Sequence, residues 1–161
     1  MGHMIAEENG RVCNTKRKGC LEAYASVTGI RRTVFSLLSS SVERSTLRTL
    51  SFEELTGEHI TKAAAAGDPI ALEAFEYTGR ILGKALANAI SILDPEAIFV
   101  GGGLARAGDF LFKPTKKYID QNVFPAFEGK VPLLPSALLD ANGGLTGACA
   151  MAWAQLRNNK T

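Results

Sequence analysis

Three side chains near the start of the chain, His3, Cys13 and Cys20, are the donor types that bind borderline metal ions. They lie in a loop-rich segment, and an imidazole with two thiols suits zinc better than a disulfide framework. A structural zinc site takes four ligands. Only three are present, and no C-x-C or C-x-x-C pair occurs. Two readings stay open: a three-ligand zinc site, or two thiols beside an unliganded histidine. Met1-Gly2-His3-Met4 also has the makeup of a cloning remnant. Glu22 stands two residues after Cys20, where a carboxylate can accept sugar hydroxyls or stabilise its own helix start. Gly101-Gly102-Gly103 forms the second constellation. Such a run lets a ligand approach the backbone and offers N–H groups to an anion or an adenosine. It lacks the Gly-Lys-Ser/Thr of a Walker A loop and the G-x-G-x-x-G dinucleotide spacing, so a bare strand-to-helix turn is its alternative. His59 reads as a surface histidine and Cys149 as a small core residue.

The elements that must position these groups follow from periodicity. Asn9-Gly10 predicts a hairpin turn. Leu21, Tyr24, Ala25, Ile30, Val34, Leu37 and Leu38 predict one helix from Cys20 to Ser41, weakened at Gly29. A polar linker runs to Thr49, Ser51 to Glu54 has the composition of a helix start, and a short helix spans 57–66. Asp68 then caps a long apolar helix from Pro69 to Leu93. Gly79, Gly83 and Ala87 line one side of it, where a neighbouring backbone, an oligomer partner or another lobe can approach closely. Ala97 to Val100 reads as a buried strand entering the glycine loop. A helix from Phe110 to Gln121, bent or broken at Pro114, a strand from Lys130 to Leu134, and a helix from Leu145 to Leu156 after Asn142-Gly143-Gly144 complete the order. Asn158-Asn159-Lys160 is a frayed tail. The class is α/β.

Composition narrows the function. The 161 residues are 46% hydrophobic and 21% charged, with 18 basic and 16 acidic side chains and a net charge of +2. Disorder is excluded, and so small a charge does not suggest a nucleic-acid or membrane-surface partner. No apolar run approaches the ~18 residues of a membrane span. No secretory leader opens the chain, and three cysteines make no disulfide framework, so a cytoplasmic location is expected.

Gly2-His3, followed by Cys13 and then Cys20-Leu21-Glu22-Ala23-Tyr24-Ala25-Ser26, resembles the hallmark segment of the ROK family (repressor, open reading frame, kinase). There a Gly-His pair precedes C-x-C-G-x-x-G-C-x-E, and the step from His3 to Cys13 matches. The likeness continues through Gly67-Asp68-Pro69, Asp94-Pro95-Glu96, Ile98 to Gly103, Ala107-Gly108-Asp109 and Asn142 to Ala148. It covers nearly the whole chain and lies closest to the family's bacterial glucokinases.

The resemblance implies an actin-like ATPase (ribonuclease H-like) fold, with helices packed on a mixed sheet. It implies that His3 holds both zinc and sugar, that Cys13 and Cys20 ligate zinc, and that Glu22 bonds sugar hydroxyls. Gly101, Gly102 and Gly103 would lie against the adenine nucleotide. Two departures stand out. Thr15 occupies the place of the family's middle cysteine and Lys16 that of the following glycine, so any zinc site is incomplete. No Asp-x-Gly-Gly-Thr phosphate loop occurs. The resemblance thus implies that residues 1–161 are one C-terminal lobe, with residues 1–22 as its zinc and sugar loop. The N-terminal lobe and its catalytic aspartate are expected to be absent. The activity implied is phosphoryl transfer from ATP, with Mg2+, to the 6-hydroxyl of glucose or a related hexose, with this chain inactive alone. N-acetylglucosamine, N-acetylmannosamine, fructose and allose kinases share the motifs. A homo-oligomer is expected, with no nucleic-acid partner unless a helix-turn-helix lies upstream. Two alternatives are the effector-binding domain of a ROK repressor and a non-catalytic sugar-binding remnant.

Overall fold

A computed structural model describes residues 1–139 and 143–158, with side chains described for 1–139 and 145–157. Asn142 and the tail residues Asn159 and Lys160 lie outside the described residues. The first helix differs from its prediction. Leu21–Ala23 is a single 3-10 turn, and the α-helix proper, α1, is Val27–Ser40. The apolar spacing runs through both pieces, but Ser26 separates them, its hydroxyl accepting the Gly29 N–H at 2.9 Å. Gly29 is pressed against the Tyr24 carbonyl, where a Cβ would come within 2.4 Å of the oxygen. Gly29 therefore permits the fold-back rather than merely weakening a helix.

The linker after α1 is tied by Arg48, whose guanidinium bonds the carbonyls of Leu38, Ser41 and Glu43. Ser51 and Glu54 close a turn on each other instead of starting a helix. Helix α2, Gly57–Ala65, begins at Thr56, with His59 completing a reciprocal cap. Helix α3 is Pro69–Leu93, as its stripe predicts. Asp68 caps it through Oδ1, which accepts the N–H groups of Ile70 and Ala71. Its Oδ2 accepts the backbone N–H and hydroxyl of Thr46, fastening the linker to the same helix start.

Strand β1, Ile98–Val100, is not the buried strand its apolar run predicts, since Phe99 is 67% exposed and its neighbours half-buried; it leads through the glycines and a 3-10 turn, Gly103–Ala107, into α4, Asp109–Asn122. Strand β2, Leu133–Pro135, starts three residues later than predicted and lies parallel to β1, Ile98 opposite Leu133. The two strands with α4 between them make one crossover unit, the connection that parallel strands require. Among the described residues the sheet is this parallel pair. The core gathers on α3, whose Ile70, Ala74, Phe75, Ile81, Leu86 and Ile90 are buried. The small-residue line serves α4: a Cβ at Gly79 would meet Pro114 at 2.7 Å, and one at Gly83 would meet the Thr115 carbonyl at 2.6 Å. Helix α4 runs through Pro114, whose ring fills the space that Gly79 leaves. Helix α5, Gly143–Asn158, is regular yet carries exposed Met151 and Trp153. Cys149 is exposed on it, not a core residue. No described helix is long and apolar enough to cross a membrane.

Candidate functional site

The first 24 residues fold with few regular hydrogen-bond ladders, so individual contacts hold them. Asn9 and Gly10 form a turn, Gly10 N–H bonding the Glu7 carbonyl, but no hairpin grows from it. The hairpin closes instead around Thr15 and Lys16, pairing Val12 with Lys18. Lys16 sits at φ 64, the left-handed region where a side chain costs about 1–2 kcal/mol. A glycine there would remove that cost. A second bridge pairs Ile5 with Cys20. Leu21 and Glu22 donate to the carbonyls of Met4 and Gly2, which sets His3 alongside Glu22.

These pairings bring the predicted metal donors together. The ligand atoms of His3, Cys13 and Cys20 lie within 4.8 Å of one another, with both cysteines buried and His3 exposed. The two sulfurs are 2.9 Å apart, and the Thr15 hydroxyl is 2.9 Å from Cys13 Sγ. The Cys20 thiol and then the Thr15 hydroxyl stabilise a Cys13 thiolate, taking it down to about 6. Bonding to that sulfur pushes Cys20 up. Two thiolates on a tetrahedral zinc stand about 3.8 Å apart, given Zn–S bonds near 2.3 Å. The donor set thus fits zinc with three protein ligands after the sulfurs part by about 1 Å. The Thr15 hydroxyl is no thiolate, so His3, Cys13 and Cys20 are the protein residues that would hold the ion.

Beside this cluster lies a cleft of about 450 Å3, lined by Cys13, Asn14, Glu22, Ser26, Thr28 and Arg32 among others. Arg11, not singled out by the sequence, braces it. Its guanidinium donates to the Gly29 carbonyl at 3.1 Å and the Thr33 hydroxyl at 2.9 Å, and lies 4.8 Å from the Tyr24 ring centroid. Its backbone N–H donates to the Tyr24 hydroxyl at 2.8 Å. These partners are 13 to 22 residues away along the chain, so no local spacing announces them.

The glycine turn is a separate place. Gly102 (φ 86) adopts a backbone that favours glycine, and Gly101 lies against Ser136. Gly103 packs on Val27, where a Cβ would stand 3.2 Å from the methyl. A smaller pocket of about 220 Å3 opens there, between Gly57, Glu58 and Thr61 of α2 and Gly103, Leu104 and Arg106 of the turn. Arg106 donates to the Leu139 carbonyl at 2.7 Å, tying the turn to the approach to α5. The glycines do not touch the cysteine cluster. The start of α1 connects the two places: Ser26 and Thr28 line the first cleft, and Val27 between them faces the glycines.

The ROK family pattern matches residues 1–155. The glucokinase of Thermotoga maritima is 34% identical over 94% of this chain and 48% of its own length. The Escherichia coli DNA-binding transcriptional dual regulator NagC is 32% identical over 86% of this chain and 33% of its own. A ROK family glucokinase from Streptomyces griseus, solved with glucose and AMPPNP, superposes with a TM-score of 0.75 at 29% identity. It covers 85% of this chain and 46% of that one. The chain therefore spans half or less of the length of these relatives, and its fold is the actin-like ATPase fold of the ROK sugar kinases. With the match running almost from end to end, this chain belongs to the ROK family.

Proposed function

We propose that this chain is the sugar- and nucleotide-binding lobe of an ATP-dependent sugar kinase of the glucokinase type, acting on the 6-hydroxyl of glucose. One observation carries the reading: two clefts flank a single helix start, one beside Glu22 and one beside Gly103. Glu22 and His3 would accept and donate to sugar hydroxyls, held at fixed angles by the Gly2–Glu22 pairing. Gly101 to Gly103 would admit the adenine nucleotide close to the backbone, with Mg2+ arriving on the ATP. Zinc on His3, Cys13 and Cys20 would stiffen the loop that carries His3.

Binding of glucose and of AMPPNP to the 161-residue protein tests this by calorimetry. Glucose binding is expected to fall at least about tenfold in Glu22→Gln, the scale of a lost charged hydrogen bond. AMPPNP binding is expected to vanish in Gly103→Val. The chain holds no Asp-x-Gly-Gly-Thr segment, so ATP-dependent glucose phosphorylation by this polypeptide alone is expected to be absent. The likeness to NagC favours a second reading, an effector-binding domain. Sugar binding without any nucleotide binding would establish that reading instead. Binding of neither ligand would overturn both readings.

A further inference from the structure

We propose that Cys13 and Cys20 form an oxidisable pair, closed to an intramolecular disulfide by a small-molecule disulfide of the glutathione class, with Cys13 the entry sulfur and Cys20 the resolving one. The two sulfurs stand at 2.9 Å, between the ~2.05 Å of a disulfide bond and the ~3.8 Å of two ligands on one zinc. The backbone already holds them there. Val12 pairs with Lys18, Cys13 N–H donates to the Arg17 carbonyl at 2.9 Å, and Ile5 pairs with Cys20. Closing the bond asks for a side-chain movement of under about 1 Å and no new loop.

The order of attack follows from access. Cys13 is 5% exposed and lines the 450 Å3 cleft, whereas Cys20 is 0% exposed and does not. A disulfide reagent therefore reaches Cys13 first. The Cys13 sulfur bonds one glutathione sulfur and expels the other as a thiol, which takes the Cys13 proton. Cys20 then attacks the Cys13 sulfur of that mixed disulfide, expelling the second glutathione thiol, which takes the Cys20 proton. Two protein thiols and one glutathione disulfide give one protein disulfide and two glutathione thiols. Thr15 makes the outcome unambiguous, because its hydroxyl stands on Cys13 Sγ where a third thiol would compete. Cys149 lies on α5, outside the cluster. A zinc ion would use the same two sulfurs, so metal and disulfide exclude each other.

The inference stands apart from the choice of sugar, and its readout is covalent. The full 161-residue protein carrying Cys149→Ser is stripped with EDTA, equilibrated with glutathione disulfide, alkylated and digested with trypsin. Cleavage after Arg11, Lys16, Arg17, Lys18 and Arg31 puts each cysteine on its own peptide. The expected product is the peptide 12–16 linked to the peptide 19–31, abolished by reductant and suppressed when zinc is added first. In the same treatment Cys20→Ser should retain one glutathione on Cys13, at least about tenfold more than Cys13→Ser retains on Cys20. Absence of the linked peptide from protein whose circular dichroism is unchanged would overturn the proposal. Equal glutathione capture by the two variants would overturn the order of attack.

Discussion

The two ends of the molecule invert the usual relation between regularity and burial. Residues 1–24 contain one 3-10 turn and two isolated bridges, yet Cys13, Cys20, Leu21, Ala23 and Tyr24 are buried. Helix α5 is sixteen residues of regular structure, yet Met151 is 76% and Trp153 66% exposed. Hydrogen-bonded regularity comes cheaply to an Ala-rich helix, whereas integration depends on long-range contacts. The loop has them through Arg11, Tyr24 and the sulfurs. The comparison teaches that isolated backbone bridges together with side-chain contacts reaching up to 22 residues along the chain hold the candidate sugar site, not a continuous secondary-structure scaffold.

Substitutions at four positions would break or sharpen this contrast, each read as a shift of the urea midpoint. The largest effect is expected for Gly29→Ala, because its new methyl collides with the Tyr24 carbonyl, a backbone atom that cannot yield without moving the loop. About 3 kcal/mol should be lost, despite alanine's better helix propensity. Arg11→Ala should cost about 2 kcal/mol through two lost hydrogen bonds and the Tyr24 stacking, and Arg11→Lys should not restore it. Lys16→Gly should run the other way and stabilise by up to about 1 kcal/mol, by relieving the left-handed backbone. Trp153→Ala should change stability by less than about 0.5 kcal/mol, since the ring is mostly exposed. If α5 mediates self-association, that variant should also sediment as a smaller species.

Acid tests a third region. Burial pushes the Asp68 carboxyl up, but hydrogen bonds from the Thr46 N–H, the Ser45 hydroxyl, the Ala71 N–H and the Thr46 hydroxyl outweigh it and hold it below the usual aspartate range. A folded value below the unfolded one gives stability that is present above the unfolded pKa, near about 3.9, and lost as pH falls through the folded value. The gap in urea midpoint between the natural protein and Asp68→Asn should therefore be wide at neutral pH and narrow steadily below about pH 4.

The sequence made legible what local chemistry decides. The Asp68-Pro69 start and unbroken stripe of α3 are readable because the cap and the spacing lie within a few residues. The strand before the glycines is readable because Ile98 to Val100 ends where side chains cease. The break before α1 was hidden, because its cause is Gly29 meeting Tyr24, while the apolar pattern crosses it undisturbed. In the site, donor chemistry pointed to His3, Cys13 and Cys20. Arg11 carried no such mark, since an arginine in a polar loop looks like solvent-facing charge until Thr33 and Gly29 are folded against it. The second cleft, between α2 and the glycine turn, was equally hidden: Gly57 and Gly103 are distant in sequence, and only the fold sets them face to face.

The notches at Gly79 and Gly83 have a mechanical consequence. The proline ring of α4 seats in one and the Thr115 carbonyl and Tyr118 side chain in the other, so α4 can neither slide along α3 nor roll over it without collision. The two helices behave as one rigid beam.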